Sequence, residues 1–210
     1  MTAKDAERLW EELRHRDADG KRAWIERLAR DGSPESIDLL LASLEHESWY
    51  LRDVATRALG SMGEVVLDPL IEMLQSGLWY TRAAAATALG RTGLPVAAAP
   101  LAQMLRDTNR TVRDAARDAL LVLAKQELAA HAVATAFAHL PERAQRFALD
   151  GLAEREPSVA EGIALLMADP ARRAAAETTS DEPSLPRAVN DHADDLLWED
   201  VVGRRRESNG

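Results

Sequence analysis

The sequence predicts an all-α fold: a right-handed α-solenoid of about five antiparallel helical hairpins, followed by a C-terminal tail. Three observations predict it. The chain repeats itself at a spacing of 30 to 31 residues. Within each copy the apolar residues follow the 3.6-residue period of a helix. Aromatics are only 4 % of a chain that is 46 % hydrophobic, so alanine and leucine must supply most of the buried surface, and helices must pack closely. With 11 glycines and 9 prolines in 210 residues, the turns should be short and recurrent.

Three segments align without gaps: LEHESWYLRDVATRALG (44–60), LQSGLWYTRAAAATALG (74–90) and LRDTNRTVRDAARDALL (105–121). An arginine recurs at Arg52, Arg82 and Arg113, and a closing leucine at Leu59, Leu89 and Leu120. The segments before them align as well, as IDLLLASL (37–44), LDPLIEML (67–74) and AAPLAQML (98–105). Each unit therefore reads as two helices joined by a short turn. In the first helix, Leu40, Leu70 and Leu101 stand four residues before Leu44, Leu74 and Leu105, which places each pair on one face. Pro69 and Pro100 share a repeat position and should bend that helix. Ser48 and Asn109 suit the cap of the second helix. Leu51, Ala55, Ala58 and Leu59 give that helix its buried stripe, repeated from Thr81 and from Val112. Gly60 and Gly90 should then end it in a left-handed turn.

Weaker copies flank these three, with Lys21 and Gln145 at the arginine position. The first helices of the five copies should cover roughly 3–17, 34–45, 64–75, 95–106 and 126–139, and a single helix near 157–168 should close the array. Degenerate end copies are what an open stack needs, because one face of each terminal unit meets water.

These residues resemble the HEAT-repeat family, in particular the short bacterial variety of about 30 residues also found in phycobilin lyases. The DPLIEML and APLAQML helices, RDVATRALG, AAAATALG and RDAARDAL carry the resemblance, strongly over 34–124 and more weakly over 3–168. The resemblance implies a fold that binds macromolecules, with second helices lining a concave face. It also raises a ladder of Asp–Arg contacts between repeats. The position two residues after the first-helix leucine is His46, Ser76 and Asp107, so only the third copy supplies the acid.

The domain should occupy 1–168 and the tail 169–210. The tail contains Pro170, Pro183 and Pro186, no helical apolar stripe, and ten acidic against six basic residues. It ends in a short amphipathic segment at 194–203, where Leu196, Leu197, Trp198 and Val201 sit among acids. Such a segment reads as a docking peptide, either for the solenoid itself or for another protein.

A formal net charge of −9 argues against general nucleic-acid binding, and the lack of cysteine excludes disulfides, thiol catalysis and thiolate metal sites. No apolar run is long enough to span a membrane, and the charged opening MTAKDAERLWEELRHR lacks a signal-peptide core, so a cytoplasmic setting is expected. No catalytic residue, metal site or cofactor is expected. The five histidines lack acidic partners at ligand spacing, apart from His46-Glu47. A lone His-Glu pair falls short of the several that the di-iron HEAT enzyme deoxyhypusine hydroxylase needs.

The features that point to function are Trp49-Tyr50 and Trp79-Tyr80, at identical repeat positions, and an arginine row that includes Arg52, Arg82, Arg113 and Arg117. Aromatics at a groove rim anchor partners, and guanidinium groups receive acidic peptide or phosphate. For Arg52, Arg82 and Arg113 the favoured reading is structural: bonds to turn carbonyls or to acids of adjacent repeats. The expected function is a scaffold or adaptor that binds a protein or peptide on its concave face. The alternatives are a phycobilin lyase-like pigment-protein factor and a HEAT-like DNA glycosylase.

Overall fold

The computed structural model describes residue 13 and residues 16–168, all within one compact unit, Met1–Arg173. The described residues form ten α-helices and no strand: α1 (Ala18–Asp31), α2 (Pro34–Ser43), α3 (Trp49–Leu59), α4 (Leu67–Met73), α5 (Trp79–Thr92), α6 (Ala98–Met104), α7 (Arg110–Ala124), α8 (Glu127–Ala138), α9 (Glu142–Ala153) and α10 (Pro157–Ala168). Four complete hairpins pair α2 with α3, α4 with α5, α6 with α7 and α8 with α9. Helix α1 is the second helix of a first copy; the first helix expected over 3–17 falls mostly outside the described residues, of which Leu13 is helical and buried. Helix α10 occupies the range expected for the closing helix.

Every substantial contact joins helices no more than three apart in chain order, so each hairpin is the core of its neighbours. The repeated leucines form that core: Leu40, Leu44, Leu70, Leu74, Leu101 and Leu105 are all buried. Thr81 is buried among them because its hydroxyl donates to Leu44 O of the preceding turn, at 3.3 Å. Ser48 and Asn109 cap α3 and α7 as expected, accepting from Leu51 N and Thr111 N.

Two expectations are corrected. Gly60 and Gly90 do not end helices in left-handed turns. Gly60 has φ −62°, and Gly90 lies inside α5. The left-handed glycines are Gly32, Gly63 and Gly93. Gly60 and Gly90 are needed for close approach instead. A Cβ on Gly90 would stand 2.5 Å from Ala119 Cβ, and one on Gly60 would stand 2.6 Å from Arg91 Cβ. These gaps let the second helices pack closely against one another, and α5 against α7 is the most extensive contact in the fold.

Pro69 and Pro100 do not bend a continuous α-helix. Each stands third in a seven-residue helix, α4 or α6, where no intrahelical donor is required. The turn before each is 3₁₀, at Gly63–Val66 and Pro95–Ala97. Proline thus sets where the α-helix begins.

Candidate functional site: the turn edge of the second helices

The second helices start on one edge of the stack, and their first residues are the exposed ones. Trp49 opens α3 and is 71 % exposed; Trp79 opens α5 and is 45 % exposed. Trp24, by contrast, is buried in α1. Each exposed indole meets the following tyrosine edge-on, with centroids 5.9 Å apart for Trp49–Tyr50 and 5.7 Å for Trp79–Tyr80. The tyrosines are half-buried, and Tyr50 packs on the core. The Arg52 guanidinium lies 4.6 Å from the centre of the Tyr80 ring, which joins the two aromatic pairs across the repeat boundary. Leu78 is also exposed beside Trp79, a residue that the repeat pattern did not single out. In the next copy the equivalent residue is Arg110, whose side chain is exposed with a single loose ion pair to Asp114 at 3.5 Å.

The recurring arginines hold turns together. Arg52 Nη1 donates to His46 O at 2.6 Å and Glu47 O at 2.9 Å. Arg82 Nη1 donates to Ser76 O at 2.8 Å and Gly77 O at 3.3 Å. Arg113 Nη1 donates to Asp107 O at 2.7 Å and Thr108 O at 3.0 Å. Gln145 does the same in the fourth complete hairpin, donating to Ala138 O and Leu140 O.

One rung of an Asp–Arg ladder also forms. Arg82 Nε and Nη2 reach the two oxygens of Asp107 in the next repeat, at 2.7 and 3.0 Å, with the side chains 15 % and 8 % exposed. The hydrogen bond to Asp107 holds the Arg82 proton more tightly than usual. Where Asp107 has its counterparts His46 and Ser76, a different acceptor does the same local work. His46 Nδ1 accepts from Ser48 N, Ser76 Oγ from Leu78 N, and Asp107 Oδ1 from Asn109 N. The acid is therefore required for the rung alone, not for the turn.

Arg117 is largely buried. Its Nη1 donates to Asp114, its guanidinium lies 5.6 Å from the Phe147 ring centre, and its Nε faces Gly151. Arg57 pairs with Asp53, and Arg155 with Asp118. The second helices thus carry an arginine row interleaved with acids, rather than an open cationic groove. Leu196, Leu197, Trp198 and Val201 of the expected docking segment lie outside the described residues.

Among the described residues no three histidines or acids converge as a metal site would require. No described helix is long and apolar enough to cross a membrane. No curated relative matches the chain. The family model for HEAT repeats matches residues 6–77 and 64–121, more than half of the sequence, and its two stretches fall on the hairpins described above. The chain therefore belongs to the HEAT-repeat family.

Proposed function

We propose that this protein is a non-catalytic adaptor that holds a protein or peptide partner along the turn edge of its second helices. Trp49 and Trp79 are the anchors. The observation that carries this reading is the exposure of two large indoles at the same position in consecutive repeats, each braced by a tyrosine that is itself fixed to the fold. Tryptophan and arginine dominate binding hot spots, and a braced ring loses little freedom when a partner covers it. Arg110 continues the row, which gives the edge an apolar end and a basic end. Arg52, Arg82 and Arg113 support this edge from beneath, since they fix the turns that carry Trp49, Trp79 and Arg110. The pairing of arginines with acids along the second helices supports a protein partner over a nucleic acid. A cytoplasmic setting belongs to the same proposal, as a cysteine-free chain has no need of an oxidising compartment.

The test is the double substitution Trp49→Ala/Trp79→Ala. Both rings are exposed, so helicity and melting should stay near wild type while capture of partners from a native lysate is lost. Capture of the same proteins by both forms would overturn the proposal. Tyr50 and Tyr80 are left intact, because their half-buried rings contribute to the fold.

A further inference from the structure

The opposite edge of the stack, where second helices hand over to first helices, carries a second apolar row. Val65 is 58 % exposed, Val96 58 % and Leu128 82 %. They occupy one repeat position, because the next residue in each case, Val66, Ala97 or Ala129, is buried. Glu35 holds that position one repeat earlier and is exposed, while its successor Ser36 is buried. The row therefore reads acid, apolar, apolar, apolar over four consecutive repeats. Scattered exposed apolar residues are ordinary, but these three recur at one repeat position and so fall on one line along the edge.

The charge beside the row is one-sided. The first helices α2, α4, α6 and α8, with their 3₁₀ turns, carry Glu35, Asp38, Glu64, Asp68, Glu72 and Glu127 and no lysine or arginine. Their one histidine, His131, meets Glu127 O through Nδ1. Base lies on the second-helix side, at Arg30, at Arg57, which is paired with Asp53, at Arg91, and at Lys125, which is paired with Glu156.

We propose that this edge docks an amphipathic helix of a partner protein, with apolar residues at every seventh position and lysine or arginine along the flank lying over the first helices. Packed helices stand about 8–10 Å apart, and seven residues of helix rise about 10.5 Å, so heptad spacing meets one apolar residue per repeat. The row itself presents hydrocarbon side chains, which cannot satisfy the open backbone groups of an extended strand. A helix satisfies its own. The acid-only first helices select the basic flank, and Glu35 places a basic residue of the partner beyond the last apolar one.

The probe is a fluorescein-labelled alanine-based helix of about 22 residues, with leucine at every seventh position and lysine along one flank, followed by anisotropy on the full chain. The substitutions Val65→Ser/Val96→Ser/Leu128→Ser touch exposed side chains, and circular dichroism checks that the fold is kept. Affinity should fall about tenfold or more in the triple variant, and by a similar factor when glutamate replaces the lysine flank. It should be unchanged in Trp49→Ala/Trp79→Ala, which keeps this test separate from that of the other edge. Equal binding to the triple variant, equal binding of the glutamate-flanked helix, or equal binding of a proline-interrupted peptide would overturn the proposal. So would wild-type self-association, seen by sedimentation, that the triple variant abolishes, since the occupant would then be a second copy.

Discussion

Substituting Gly90 by alanine isolates the physical role of the close helix approach. A Cβ there would lie 2.5 Å from Ala119 Cβ and 2.6 Å from Ala119 Cα. Ordinary carbon–carbon contact is about 3.5–4.0 Å, so α5 and α7 must separate by roughly 1 Å. The atoms in the way are a methyl group and helix backbone, and neither can rotate aside. Overpacking of this kind costs about 1–3 kcal/mol. Replacing glycine within a helix offsets about 1 kcal/mol of that. The net loss should be about 0–2 kcal/mol, which for a domain of this size lowers Tm by up to roughly 8 °C. Gly162 in α10 supplies the opposite sign, because a Cβ there meets nothing within 4 Å. Gly162→Ala should raise Tm through helix propensity alone. Thermal melts followed by circular dichroism at matched concentration read both. A Gly90→Ala protein that gains as much in Tm as Gly162→Ala would refute the reasoning.

Arg82→Ala should destabilise by about 2–3 kcal/mol, because it strands a mostly buried Asp107 and frees two turn carbonyls; Arg82→Lys should recover little, since lysine lacks the fork that reaches both oxygens. Urea midpoints of the two variants check this, and full recovery by lysine would contradict it. Asp31 accepts from the hydroxyls of Ser33 and Ser36 at 2.5 and 2.6 Å, bonds that hold its carboxyl below the usual carboxylate range. The stabilisation is therefore present above the ordinary carboxylate pKa and lost as pH falls through the lowered one. The gap in Tm between wild type and Asp31→Ala should close on that acid side, and a gap that widened with acid would reverse the assignment.

The fold was legible because its signal is repeated. One period of apolar spacing is ambiguous, but Leu40–Leu44, Leu70–Leu74 and Leu101–Leu105 say the same thing three times, and each pair is buried. Caps were legible for a similar reason, as Ser48 and Asn109 have few other uses at that position. Glycine was misread because its two roles, positive φ and the absence of a Cβ, look identical in a sequence. Only the partner helix distinguishes Gly90 from Gly93. For the tryptophans, repeat position was legible and exposure was not. Trp24 and Trp49 both stand in second helices, yet one is buried and the other open. For Arg52, Arg82 and Arg113 the kind of acceptor was legible, turn carbonyls and a neighbouring acid, but not which carbonyls, because backbone acceptors leave no mark in the sequence. The Val65, Val96 and Leu128 row was available from the alignment of first helices. Its exposure is not legible there, because in an apolar-rich repeat a valine or leucine one residue before a buried position looks the same as a core residue.

Native-state hydrogen exchange on the full chain carrying Leu152→Ala tests the stacking most directly. Leu152 is fully buried in α9, and its truncation leaves a cavity costing about 2–5 kcal/mol. In a stack where hairpins touch only near neighbours, the loss should stay local: faster exchange in α8, α9 and α10, and unaltered protection in α1 to α4. Equal acceleration from α1 to α10 would mean that all the helices share one cooperative centre, and the solenoid reading would fall.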